Sequence, residues 1–189
     1  MKHLDKILDS KKTVWTYQDV SLVLGMTNRD TIKSFFVRGM NDGIFVNLQK
    51  GIYALKNYNI YEFAAKVKKK SYISLETVLK QQGIIFQDYA HTIFLVSDNT
   101  GSKTSKGYTF KYSKIQDSIL LNPLGLINTG SYTIASPERA ICDRLYLSSD
   151  YYFDDIQHVD VQLLQEISMI YNQRVICSIQ KLIQHAQSG

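Results

Sequence analysis

The stretch Thr27-Asn28-Arg29-Asp30-Thr31-Ile32-Lys33-Ser34-Phe35-Phe36-Val37-Arg38-Gly39-Met40 decides how this chain is read. Ile32, Phe35, Phe36 and Met40 recur at offsets of three and four, so one side of a helix over about 28–40 is apolar. Its opposite side carries Asp30, Thr31, Ser34, Val37 and Arg38, with Arg29 and Lys33 on the flanks. Asn28 or Thr27 supplies the cap, and Asp30 suits the positive end of the helix dipole. Upstream, Thr16 is placed to cap a helix over about Tyr17–Leu24, and Gly25 ends it in a left-handed conformation without a Cβ clash. A shorter helix around Leu4, Ile7 and Leu8 comes first. Downstream, Asn41-Asp42-Gly43 stops the helix. Two β-rich runs, Ile44–Leu48 and Ile52–Leu55, then flank Gln49-Lys50-Gly51, the pattern of a hairpin.

Three helices followed by a hairpin is the order of a winged helix-turn-helix. The interior spacing fits: a helix of about eight residues, a tight turn with Gly25, then a longer helix. The expected fold class is α+β, with a winged helix-turn-helix over 1–56 and a mixed domain of sheet and helices over 57–189. The third helix would enter a major groove with its N-terminal end, and Lys50 at the tip of the wing would meet a phosphate. Duplex binding needs phosphate anchors and side chains that reach base edges. Arg29, Lys33, Arg38 and Lys50 can supply the first. Asn28, Arg29, Thr31 and Ser34 can supply the second, with Thr27 beside them, because Arg pairs bidentately with guanine and Asn with adenine.

Charge is distributed in the same sense. The 189 residues carry a formal charge of +5. Residues 1–70 hold 13 Lys/Arg against 6 Asp/Glu, whereas residues 121–189 hold 4 against 7. A positive surplus confined to the first third suits an anionic partner, double-stranded DNA above all. No apolar run reaches the length of a membrane span, and the N-terminal residues lack the apolar core of a signal peptide. Cys142 and Cys177 are too few for a disulfide framework or a four-cysteine zinc site. The expectation is a cytoplasmic protein with reduced thiols and no membrane partner.

Further along, Tyr61–Lys70 and Ser74–Leu79 read as helices, the second capped by Ser74. His91–Val96, Tyr108–Tyr112, Ser118–Leu121 and Gly130–Ala135 read as strands, with a polar loop over Ser97–Gly107. Pro137–Leu147, Val161–Tyr171 and Arg174–Ala186 read as helices, with Pro137 at N1 behind a capping Ser136. Glu76 and Lys80 are spaced for a surface ion pair. Asp154, Asp155, His158 and Asp160 lack ligands converging from other elements, so they read as an acidic loop and a helix start. Metal-assisted nuclease chemistry on Asp154, Asp155 and His158 is the weakest of the open readings. The Gly101–Gly107 loop lacks the order of a phosphate-binding loop and leads into a strand. Cys142 reads as a buried thiol. No catalytic motif stands out; neither enzyme activity, a metal nor a cofactor is expected.

Three segments carry a resemblance. They are the N-terminal unit closing on Lys50-Gly51-Ile52-Tyr53-Ala54, then Ser71-Tyr72-Ile73-Ser74-Leu75-Glu76-Thr77-Val78-Leu79 with Gly83-Ile84-Ile85, and Tyr132-Thr133-Ile134-Ala135-Ser136-Pro137-Glu138-Arg139-Ala140-Ile141-Cys142-Asp143. In this order they resemble the AbiEi-type antitoxins, regulators of type IV toxin–antitoxin systems of abortive phage infection. The resemblance implies an N-terminal domain that binds inverted repeats in its own promoter as a repressor. It implies a C-terminal domain that counteracts a nucleotidyltransferase-like toxin without a stable complex. The matched residues in the second and third segments read as caps, helix faces and a strand end, with no catalytic role. The other reading open at this point is a winged-helix regulator or adaptor whose second domain binds a ligand or a protein and has no toxin partner.

Overall fold

The structure, a computed structural model, describes residues 3–188, with side chains as far as His185. The protein is α+β and divides into two compact units, residues 1–69 and 70–189. No helix among the described residues is long and apolar enough to cross a membrane.

The first unit runs α1 (Leu4–Asp9), β1 (Val14–Thr16), α2 (Tyr17–Leu24), α3 (Arg29–Asn41), β2 (Phe45–Gln49), β3 (Ile52–Leu55) and α4 (Ile60–Val67). Both ends of α2 follow from local chemistry. The Thr16 hydroxyl accepts the Asp19 N–H at 3.3 Å while the Asp19 carboxylate accepts the Thr16 N–H at 2.7 Å, a reciprocal capping box. Gly25 closes the helix at φ +66°. Asn28 caps α3, its Oδ1 accepting the N–H groups of Asp30 at 2.8 Å and Thr31 at 3.1 Å. The apolar stripe of α3 is buried as expected at Ile32, Phe35 and Phe36. It packs on an aromatic cluster: Phe36 stacks on Tyr53 at 4.0 Å, and Phe45 meets Phe36 edge-on at 5.3 Å and Trp15 at 5.7 Å. Burying one such ring is worth about 1.5–3 kcal/mol.

Two features of this unit differ from the sequence expectation. Val14–Thr16 forms a strand, antiparallel to β3 through Val14 opposite Ala54, so the hairpin belongs to a three-stranded sheet of order β1-β3-β2. The unit also ends at residue 69 rather than 56, because α4 is bound into it. The Glu62 carboxylate accepts the N–H groups of Thr13 at 2.7 Å and Val14 at 3.0 Å. The Asn59 N–H reaches Thr13 Oγ1 at 2.8 Å, and Lys66 pairs with Asp19 at 2.7 Å. The Glu62 bonds satisfy backbone donors at and just before the start of β1, and the Lys66–Asp19 pair ties α4 to α2.

The second unit runs β4 (Ser71–Ile73), α5 (Glu76–Gln81), β5 (Thr92–Ser97), β6 (Gly101–Ser105), β7 (Tyr108–Lys114), α6 (Asp117–Leu120), β8 (Leu126–Asn128), β9 (Thr133–Ala135), α7 (Pro137–Leu147), α8 (Val161–Ser168) and α9 (Gln173–Ser188). Its strands form one mixed sheet of order β6-β7-β5-β4-β9-β8. β5 lies in its interior, parallel to β7 and antiparallel to β4, and from Ile93 onward it is wholly buried. The supposed loop over 97–107 contains β6, an exposed edge strand whose polar residues gave no alternation to read. The supposed strand at Ser118–Leu121 is the helical turn α6, whose apolar run fits either period. Ser74 does not cap α5; its hydroxyl is drawn to Asp143, and Leu75 precedes the helix at φ +55°. Lys80 pairs with Asp88, and Glu76 with Arg144 at 3.2 Å, so the expected Glu76–Lys80 pair is not made.

Candidate nucleic-acid interface

The burial of Ile32, Phe35 and Phe36 turns the rest of α3 outward. Thr27, Asn28, Arg29, Asp30, Thr31, Lys33, Ser34, Val37 and Arg38 are all exposed. Thr31, Ser34 and Arg38 form one row along the helix, and Arg29 and Lys33 a second row beside it. None of Arg29, Lys33, Arg38 or Lys50 takes part in a salt bridge among the described residues. Arg38 lies along its own helix, its Nε donating to the Ser34 carbonyl at 3.3 Å. Lys50 is exposed in the turn between β2 and β3, where Gly51 adopts φ +80°.

Sequence reasoning passed over the residue that ties these parts together. Tyr17 begins α2, and its ring carries the Arg29 guanidinium 5.2 Å from the centroid. A Cβ at Gly51 would lie 3.7 Å from Tyr17 Cε2, so the backbone of the hairpin turn rests on the same ring. Tyr17 is fixed by a 3.0 Å hydroxyl contact with Tyr53, whose ring stacks on Phe36. Burial and that contact push the Tyr53 hydroxyl up to about 12, so it stays protonated. One aromatic side chain therefore positions the N-terminal arginine of α3 and supports the turn that bears Lys50. The signal was an aromatic at the first position after a capping threonine, indistinguishable in sequence from an ordinary core residue.

Asn28 is the exception among the candidates. Its Oδ1 is already used by two backbone N–H groups, leaving only the amide nitrogen to donate. A bidentate grip on adenine needs both atoms, so Arg29, Thr31 and Ser34 are better placed for base edges.

The segments of the second unit singled out by resemblance meet in the interior. Ser136 caps α7 by accepting the Arg139 N–H at 3.2 Å, ahead of Pro137. Arg139 and Asp143, one turn apart, are both fully buried. Asp143 accepts hydroxyls from Tyr171 at 2.6 Å, Ser74 at 2.7 Å and Tyr72 at 3.0 Å, with Arg139 Nε 3.6 Å away. Burial pushes the Asp143 carboxyl above the ordinary range, against the pull of Arg139 and the three hydroxyls. Arg139 spends its other donors on the carbonyls of Ile119 at 2.6 Å and Leu124 at 2.7 Å. The adjoining Gly125 has φ +73°, and a Cβ there would sit 2.6 Å from Ile167 and 2.9 Å from Arg139. Every donor and acceptor is taken from within the chain, the arrangement of a structural post.

The acidic run is likewise local. Asp154 accepts the Phe86 N–H at 2.8 Å, Asp155 that of Gln157 at 2.8 Å, and Asp160 caps α8 through Gln162 and Leu163. Cys142 is buried, which raises its thiol pKa, and Cys177 is exposed; neither is in a disulfide. No protein-family model matches the chain, and no curated protein matches it.

Proposed function

We propose that residues 1–69 are a winged helix-turn-helix that binds double-stranded DNA, with α3 in the major groove and the β2–β3 turn as the wing. The observation that carries the reading is the outward face of α3: a polar, cationic surface on a helix whose other face is anchored in an aromatic core. Thirteen residues make α3 about 20 Å long, enough to cross a major groove about 12 Å wide. Arg29, held against Tyr17, stands at the end that would meet base edges, with Thr31 and Ser34 on the adjacent row. Lys33, Arg38 and Lys50 anchor phosphates. The surplus of positive charge in residues 1–70 supports the same partner.

The resemblance of three segments to AbiEi-type antitoxins extends the proposal to the whole chain. It is a repressor of its own promoter whose second unit counteracts a nucleotidyltransferase-like toxin without forming a stable complex with it. Two measurements test this. A gel-shift series on the DNA upstream of its own gene should show binding that Arg29→Ala and Lys33→Ala weaken; equal binding by parent and variants rejects the DNA reading. Where a nucleotidyltransferase-like gene adjoins this one, coexpression of this chain should restore growth to cells expressing it; growth arrest unaffected by this chain rejects the antitoxin reading.

A further inference from the structure

A second feature lies wholly in the second unit and stands independently of the DNA-binding reading. The exposed side of α9, the 149–153 segment and Leu145 of α7 line a half-open groove of about 450 Å³, within the span of roughly 300–1,000 Å³ usual for small-molecule sites. α9 has two sides. Val175, Ile179 and Ile183 are buried, while Arg174, Lys181 and His185 face the groove. Helical rise puts Lys181 and His185 about 6 Å apart along the axis and Arg174 about 10 Å before Lys181. The Arg174 guanidinium is held by the Tyr146 carbonyl at 2.6 Å. The floor is apolar, made by Leu145, Phe153 and Leu182, and one carboxylate, Asp150, stands at the rim.

The geometry points to this groove as a binding site for a nucleoside monophosphate. Each part of such a ligand has a counterpart of matching chemistry. The apolar floor suits a flat base. Asp150 is an acceptor for ribose hydroxyls, as carboxylates are in dinucleotide sites. Lys181 and His185, one turn apart, suit a single phosphate, and Arg174 adds a fixed positive charge. A free phosphate would leave the floor unused, and an uncharged nucleoside would leave the cations unused.

The protein carries its own reporter. Cys177 lines the groove and is exposed, whereas Cys142 is buried. A thiol reagent such as DTNB therefore reads Cys177 in the native chain. The experiment compares labelling rates of the full-length protein with AMP, GMP, CMP or UMP, and with adenosine or inorganic phosphate at the same concentration. The expected result is that at least one nucleotide slows labelling, by about threefold at twice its Kd, and that neither adenosine nor phosphate matches it. Lys181→Glu, on an exposed position, should abolish that protection, judged by the ratio of rates with and without nucleotide in the same variant. Labelling unaffected by all four nucleotides, protection by phosphate or adenosine equal to that by nucleotide, or full protection retained in Lys181→Glu each overturns the assignment. None of these outcomes touches the gel-shift result for α3, so the two proposals fail separately.

Discussion

Arg29 and Arg139 make an instructive pair. Each sits in the first turn of a helix, and each lies over tyrosine: Arg29 is 5.2 Å from the Tyr17 centroid, and Arg139 is 5.5 Å from those of Tyr72 and Tyr171. Beyond that their situations are opposite. Arg139 is fully buried, and its donors end on carbonyls, a phenol and the neighbourhood of a carboxylate. Arg29 is exposed and has no carboxylate partner among the described residues. A buried charge must be satisfied by the chain itself, because water is no longer there to do it. An exposed guanidinium held by an aromatic ring keeps its planar fork of donors for something else. Arg139 builds architecture; Arg29 is left facing outward.

The largest effect is expected at the buried arginine. Asp143→Ala leaves Arg139 as an uncompensated buried charge and should cost the second unit about 3–5 kcal/mol in urea unfolding. A cost under about 1 kcal/mol would mean that the post bears no weight. Arg29→Ala should do the reverse. Its loss of discrimination between base pairs should reach about 1–3 kcal/mol in competition gel shifts, while the fold loses no more than the about 0.5–1 kcal/mol of an exposed cation–π contact.

The capping box gives a smaller, pH-dependent effect. Burial raises Asp19, but the Lys66 ammonium and the Thr16 hydroxyl and N–H more than offset it and hold its carboxyl below its ordinary value. A carboxyl depressed in the folded state stabilises above its unfolded pKa, and that stabilisation is lost as pH falls through the folded one. Acid melting curves of the parent should therefore fall more steeply below the ordinary carboxylate range than those of Asp19→Asn. Thr16→Ala should cost about 1 kcal/mol near neutrality. The smallest effect expected is on stability in Lys33→Ala, within about 0.5 kcal/mol, because that exposed ammonium forms no salt bridge among the described residues.

What could be read in advance tracks how local its cause is. Thr16, Asn28 and Ser136 were legible as caps because the bonds they make span two or three residues. The buried stripe of α3 was legible from its period. β1 was not, since three residues acquire strand character only by pairing with Ala54 and its neighbours some forty positions away. β6 is not legible in the sequence, because an exposed edge strand has no apolar face to alternate. Within the candidate sites, the cationic row on α3 was plain, but the service of Tyr17 to Arg29 and Gly51 depends on a tertiary fold. The same holds for Asp143, whose hydroxyl donors Tyr72 and Ser74 come from about seventy residues upstream.

The most direct test is the salt dependence of duplex binding by the full-length chain and by a Lys33→Ala/Arg38→Ala variant. Log K should fall linearly with log salt concentration, and the slope should shrink by about one for each cation removed. Binding that ignores salt, or a slope identical in parent and variant, would mean that α3 does not lie on a phosphate backbone.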